Sequence, residues 1–169
     1  MKQLITPLPL TPQSFAPFGR VLDNYDGPCT KEGENWICYS PVDFLMPDVP
    51  MGVGIVYCNT PPTSISALER HVSREELLWA TTQDLVMAVD LPIFMGDENA
   101  LPDAETCKVF LIKAGQAIII NRGTWHSPCF AVEGKAKYYF LVERKPDLID
   151  QDAQPWIPFQ GGETISIRL

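Results

Sequence analysis

The stretch Gly115-Gln116-Ala117-Ile118-Ile119-Ile120-Asn121-Arg122-Gly123-Thr124-Trp125-His126 decides how this chain is read. A short run of β-branched residues lies between two glycines, each able to make a tight turn that would strain another residue. Ile118, Ile119 and Ile120 put apolar side chains on both faces of a strand, so that strand is expected to be covered on both sides, as inside a sandwich or barrel. His126 follows the second turn and can project back into that interior.

Working back along the chain, Glu69-Arg70-His71 and Glu76 supply the groups that His126 can meet. Residues two apart on a strand share a face, with Cα atoms ~7 Å apart, so Glu69 and His71 look inward together while Arg70 looks out. Glu76 comes after a polar turn over Val72 to Arg74 and opens the antiparallel return strand opposite them. His71 and His126 are the chain's only two histidines. Two imidazoles and two carboxylates on one inner wall make a candidate divalent-metal or acid/base site.

The rest of the sequence is punctuated by sixteen prolines and eleven glycines, and long 3.6-residue periodicity is scarce. That profile favours an all-β domain. Strands are expected over Trp36 to Tyr39, Gly52 to Cys58, Ser64 to His71, Glu76 to Ala80, Leu85 to Leu91, Val109 to Lys113, Ala117 to Asn121 and Lys137 to Glu143. One short helix is expected around Thr11 to Phe18, where Thr11 can cap and Pro12 is tolerated in the first turn. Asp23 to Glu34 and Asp97 to Glu105 read as loops, Pro146 to Pro158 as an irregular strap, and Glu163 to Leu169 as a final edge strand.

At 169 residues with 46% apolar content, residues 1–169 fit a single domain with one sizeable core. No apolar run approaches the ~18 residues that span a bilayer, and Pro7, Pro9 and Pro12 interrupt the N-terminal segment, so no membrane span and no export signal are expected. The five cysteines are odd in number and widely spread, which reads as reduced thiols in a cytoplasmic protein rather than disulfides or structural zinc. A net charge of −8 opposes nucleic-acid binding, since such partners generally ask for a clustered basic face.

The two patterns resemble the two motifs of the cupin superfamily. The first cupin motif, His-x-His-x(3,4)-Glu, corresponds to Glu69-x-His71-x4-Glu76, with Glu69 in place of the leading histidine. The second, Gly-x5-Pro-x-Gly-x2-His, corresponds to Gly115-x5-Asn121-x-Gly123-x2-His126, with Asn121 in place of the proline. This spacing favours Glu76 over Glu75 as the inward carboxylate and leaves Glu75 an exposed charge. A closer resemblance is to the ureidoglycolate lyases, a cupin family. It rests on Pro9-Leu10-Thr11 with Phe15, Phe18-Gly19 and Val21, on Leu68-Glu69-Arg70-His71, and on Arg122-Gly123-Thr124-Trp125-His126-Ser127-Pro128, and spans most of residues 8 to 145. That family usually has histidine where this chain has Asn121 and Ser127, and often glutamine where it has Glu76.

The resemblance implies a cupin-type double-stranded β-helix barrel with a short N-terminal helix, paired as a homodimer. It implies cleavage of ureidoglycolate to glyoxylate and urea, with a divalent metal on His71, Glu76 and His126. Nickel, zinc, manganese and iron all suit that donor set. Glu69 then ligates the metal, acts as the catalytic base or pairs with a neighbouring arginine, and Arg122, with its planar guanidinium, either holds the carboxylate of a small-molecule substrate or is a solvated turn residue. Trp125 and Trp79 read as pocket lining or core, and Cys129 as a buried small hydrophobe near the site. The altered donor set also leaves room for a metal-dependent isomerase or dioxygenase on a small hydroxy- or keto-acid, and for a non-catalytic binding cupin.

Overall fold

The computed structural model describes residues 2–23, 27–44, 50–94, 97, 99–143 and 153–169. Strands dominate, as the punctuated sequence requires, and they form two main sheets. One sheet orders β3 (Gly19–Leu22), β11 (Ala117–Ile120), β8 (Glu76–Ala80), β14 (Lys135–Glu143) and β6 (Met51–Asn59). The other orders β15 (Ala153–Pro158), β7 (Ala67–His71), β12 (Trp125–His126), β9 (Leu85–Asp90), β10 (Lys108–Ile112) and β2 (Leu8–Pro9), with β13 (Phe130–Ala131) also on β9. Outside them, β1 (Lys2–Ile5) pairs in parallel with β16 (Thr164–Ile167), and β4 (Lys31–Gly33) makes a hairpin with β5 (Trp36–Cys38).

Side-chain alternation explains why β9 is buried along its whole length. Leu85, Met87 and Val89 point between the sheets, where they meet Leu78, Ile118, Ile120 and Phe110. Val86 and Ala88 point the other way into a second core with Leu68, Val109, Trp125, Phe159 and Ile165. That outer layer includes residues of β16 and the chain just beyond β15, so the termini cover the back of the sheet that carries the histidines. Each fully buried Leu, Ile, Phe or Met contributes on the order of 1.5–3 kcal/mol. The all-β cupin-type architecture expected from the motifs is the one observed.

The helix is shorter than expected. It spans only Pro12–Phe15, because Pro17 has no N–H with which to continue the ladder. Its start is as read: the Thr11 hydroxyl accepts from the Ser14 N–H at 3.0 Å, and the Ser14 hydroxyl accepts from the Thr11 N–H at 3.0 Å. The turn drives Phe15 and Phe18 edge-on against Phe110, with centroids 5.2 and 5.6 Å away. Gly115 and Gly123 have φ of 87° and 79°, the left-handed conformation for which the motif reserves glycine.

Two connections depart from expectation. The stretch read as a loop over Asp23 to Glu34 contributes β4, one arm of a hairpin. Of the expected strap, residues 146–152 lie outside the described residues, and the rest is β15, which pairs with β7 through an irregular register between Gln154 and Ile157. The final strand is as read: β16 is an edge strand, paired with β1, and places Ile165 in the outer core. Among the described residues, no helix is long and apolar enough to cross a membrane.

Candidate metal centre

Three strands bring the site together. β7 ends at His71, β8 begins at Glu76 after a four-residue turn, and the two-residue β12 is inserted between β7 and β9 with His126 opposite both Glu69 and Val89. Glu76 pairs with Ile120 and faces the same interior. The donor atoms of His71, Glu76 and His126 all lie within 4.8 Å of one another, and the two imidazole centroids are 5.6 Å apart. His126 is 2% exposed.

Backbone hydrogen bonds lock this geometry. The Gly123 N–H donates to the His71 carbonyl at 2.6 Å, so the turn of the second motif is tied to the first histidine. Nδ1 of His126 lies 3.0 Å from the Thr124 carbonyl oxygen, which can only accept, so Nδ1 carries a proton. Nε2 then aims at Glu76 Oε2, 3.2 Å away, and Nε2 of His71 reaches the same oxygen at 3.4 Å. A neutral imidazole nitrogen facing a carboxylate oxygen sets two lone pairs against each other, and only a cation between them relieves it. A proton makes His126 an imidazolium; a divalent ion takes all three donors at once. Two imidazoles and a carboxylate, held by backbone bonds on rigid strands, fit such an ion.

The titration of the site follows from the same contacts. Burial alone would raise the Glu76 pKa, but hydrogen bonds from His126 and His71 outweigh it and lower the carboxyl from 4.5 to about 2. Burial likewise works against the His126 imidazolium, and Glu76 followed by Glu69 reverses it, so this ring titrates above its ordinary 6.5. Behind Glu76, burial first and the nearby carboxylate second push the Cys129 thiol up. Tyr138 is also raised, chiefly by burial, and its oxygen accepts from the Cys129 N–H at 3.4 Å. Cys129 and Tyr138 therefore stay neutral and form an apolar floor.

The remaining site candidates fall in different places. Glu69 stands at the rim, 26% exposed, with Oε1 3.9 Å from His126 Nε2. Arg122 is exposed on the turn, and the three donor side chains meet without it. Arg70 points out of the barrel as expected, but it is fully buried there, its guanidinium 4.4 Å from the Trp125 ring centroid. Trp125 is thus outer core rather than pocket lining, and Trp79 stacks on Tyr139 on the outer face.

Glu75 corrects the expectation of a solvated charge: its side chain is 10% exposed and bound bidentately by Arg20. The positions where the resembling family has histidine also face away from the donors. The Asn121 amide oxygen accepts from Arg20 at 3.0 Å, and the Ser127 hydroxyl accepts from the Ala88 N–H at 3.0 Å while donating to the Pro128 carbonyl. Arg20, Tyr138 and the role of Glu75 carried no motif signal. Only the β3–β11 and β8–β14 pairings reveal them.

A two-sheet β-barrel whose inner wall gathers two histidines and a glutamate is a cupin in architecture. The model of the ureidoglycolate lyase family matches residues 2–155, and the chain belongs to that family. It is similar to a ureidoglycolate lyase from Pseudomonas savastanoi pv. phaseolicola, 28% identical over 150 residues that cover 85% of this chain and 84% of that one. A second, from Pseudomonas syringae pv. tomato, is 28% identical over 142 residues, 80% of each chain. Among solved structures it is similar to a dTDP-4-dehydrorhamnose 3,5-epimerase from Elizabethkingia anophelis, at 10% identity over 82% of this chain and 80% of that one, with a TM-score of 0.43.

Proposed function

We propose that this chain cleaves ureidoglycolate to glyoxylate and urea, using a divalent metal held by His71, Glu76 and His126. Family membership supports the reaction. The observation that carries the site is the convergence of three donors within 4.8 Å, with His126 oriented so that its free lone pair faces a carboxylate.

A divalent cation bound there supplies Lewis-acid polarisation of the substrate's hydroxyl and carboxylate oxygens. The chain's own groups do the rest. Glu69, at the rim and near His126, takes the hydroxyl proton as the carbon–oxygen double bond forms and the carbon–nitrogen bond breaks. The departing urea nitrogen takes up a proton from Glu69 or from water, so one O–H and one C–N bond are exchanged for a C=O and an N–H. Cys129 and Tyr138, uncharged behind Glu76, keep the floor of low polarity and so strengthen the electrostatic contacts above it. With a chain charge of −8, an anionic substrate gains nothing from long-range steering, and Arg122 on the exposed turn offers a local positive charge.

Glyoxylate release from ureidoglycolate by metal-loaded protein tests the reading. Chelation and His126→Ala are each expected to abolish turnover, and a metal-loaded wild type that releases no glyoxylate overturns the assignment. A homodimer in a reducing, cytoplasmic compartment completes the proposal. The free cysteines Cys29, Cys38, Cys58, Cys107 and Cys129 support the compartment. The edge strand β6 supports the dimer: none of its nine residues is charged or proline, and Val53, Ile55 and Tyr57 are 68%, 41% and 77% exposed.

A further inference from the structure

Arg20 lies outside the barrel, on the far side of the wall from the donor atoms, yet its contacts converge on the segments that carry them. From β3, opposite Ile119, its Nη1 and Nη2 donate to Glu75 Oε1 and Oε2 at 2.9 and 2.6 Å. Nη1 also donates to the Asn121 side-chain oxygen at 3.0 Å, and Nε to the Asp43 carbonyl at 3.1 Å. We propose that Arg20 is a positioning residue for the metal centre, fixing from outside the spacing between the segment that presents Glu76 and the turn that presents His126. This rests on the metal reading above.

The register makes the case. Glu75 directly precedes Glu76, so a clamp that holds Glu75 outward turns its neighbour inward. Asn121 directly follows Ile120, and Ile120 is the residue paired with Glu76. One guanidinium therefore grips both chains at the rung where the carboxylate enters the barrel. From Asn121 the chain runs through Gly123, whose N–H holds the His71 carbonyl, to Thr124, whose carbonyl orients the His126 ring. The three donors thus lie within a few bonds of one external fork.

A planar group is needed for this. Bidentate capture of Glu75 plus an amide oxygen requires donors in a fixed fork, which lysine lacks. The Arg20 side chain is 34% exposed and that of Glu75 10%, so the bidentate pair contributes to folding stability as well as to geometry, and a readout at the metal itself separates the two. The contrast is an ion pair that contacts neither Glu75 nor Asn121. Lys113 with Asp84, 2.7 Å apart and with the lysine 59% exposed, is such a pair.

The test is Mn(II) affinity, read by calorimetric titration of chelator-treated protein, for wild type, Arg20→Lys, Glu75→Gln and the control Lys113→Met. Arg20→Lys and Glu75→Gln are expected to weaken binding roughly 10- to 100-fold, the loss typical when a group supporting a metal ligand is removed. Their bound Mn(II) is also expected to show an altered EPR fine structure, which a stability effect alone does not produce. Unfolding midpoints of the metal-free variants are expected to stay above the titration temperature, so that weakened binding is not loss of fold, and Lys113→Met is expected to bind as wild type does. Wild-type affinity in both Arg20→Lys and Glu75→Gln overturns this inference alone. Absence of Mn(II) binding by the wild type overturns the metal reading and this inference with it.

Discussion

Replacing Glu76 with glutamine in the metal-free protein isolates the electrostatics of the centre. The carboxylate lies 3.2 Å from one imidazole and 3.4 Å from the other, and these contacts lower its pKa from 4.5 to about 2. At about 1.36 kcal/mol per pKa unit, the carboxylate adds about 3 kcal/mol of stability. Because its folded value is depressed, that contribution is fully present above 4.5 and is lost as pH falls toward 2. The partner sets the upper limit. His126 is raised above 6.5, so the contribution of its imidazolium is present below 6.5 and is lost as pH rises through the folded value. Both conditions hold together between about pH 4.5 and 6.5. Urea denaturation of chelator-treated wild type and Glu76→Gln across pH 2 to 8 is therefore expected to show the largest gap, on the order of 3 kcal/mol, inside that window, and a shrinking gap on either side. A gap that does not vary with pH would refute the argument, because a loss of packing or of one neutral hydrogen bond is insensitive to both titrations.

Two further outcomes are expected. Ser127→Ala leaves the buried Ala88 N–H without its acceptor and should cost about 1–3 kcal/mol by denaturant titration, while Mn(II) affinity stays at the wild-type value, since the hydroxyl faces away from the donors. Val53→Lys, at a position 68% exposed on β6, should convert a dimer to a monomer in sedimentation velocity with little change in monomer stability; a wild type that already sediments as a monomer removes the dimer from the proposal.

Much of the site is legible in the sequence. Period-two alternation placed Glu69 and His71 on one face, and the glycines at 115 and 123 marked turns that both prove to need positive φ. Their spacing put His126 on the same wall, and the three donors do meet. These are local constraints, dictated by strand geometry over a handful of residues. Glu75 was misjudged because its burial depends on Arg20, a residue 55 positions away in sequence. Asn121 and Ser127 were weighed as lost ligands because a motif records which residue stands at a position, not which way its side chain leaves the strand.

The sequence by itself determined the all-β class, the turns, the alternating faces and which side chains converge as candidate donors, since each follows from backbone sterics and from side-chain chemistry carried by neighbouring residues. Tertiary structure decided what lies behind those faces. The back of β9 is closed by residues from the chain ends, Arg70 is buried against Trp125, and an arginine outside the barrel grips both Glu75 and Asn121. Such contacts depend on which strands become neighbours in the two sheets, and that choice is made by burying apolar surface over the whole molecule rather than by any one stretch of it.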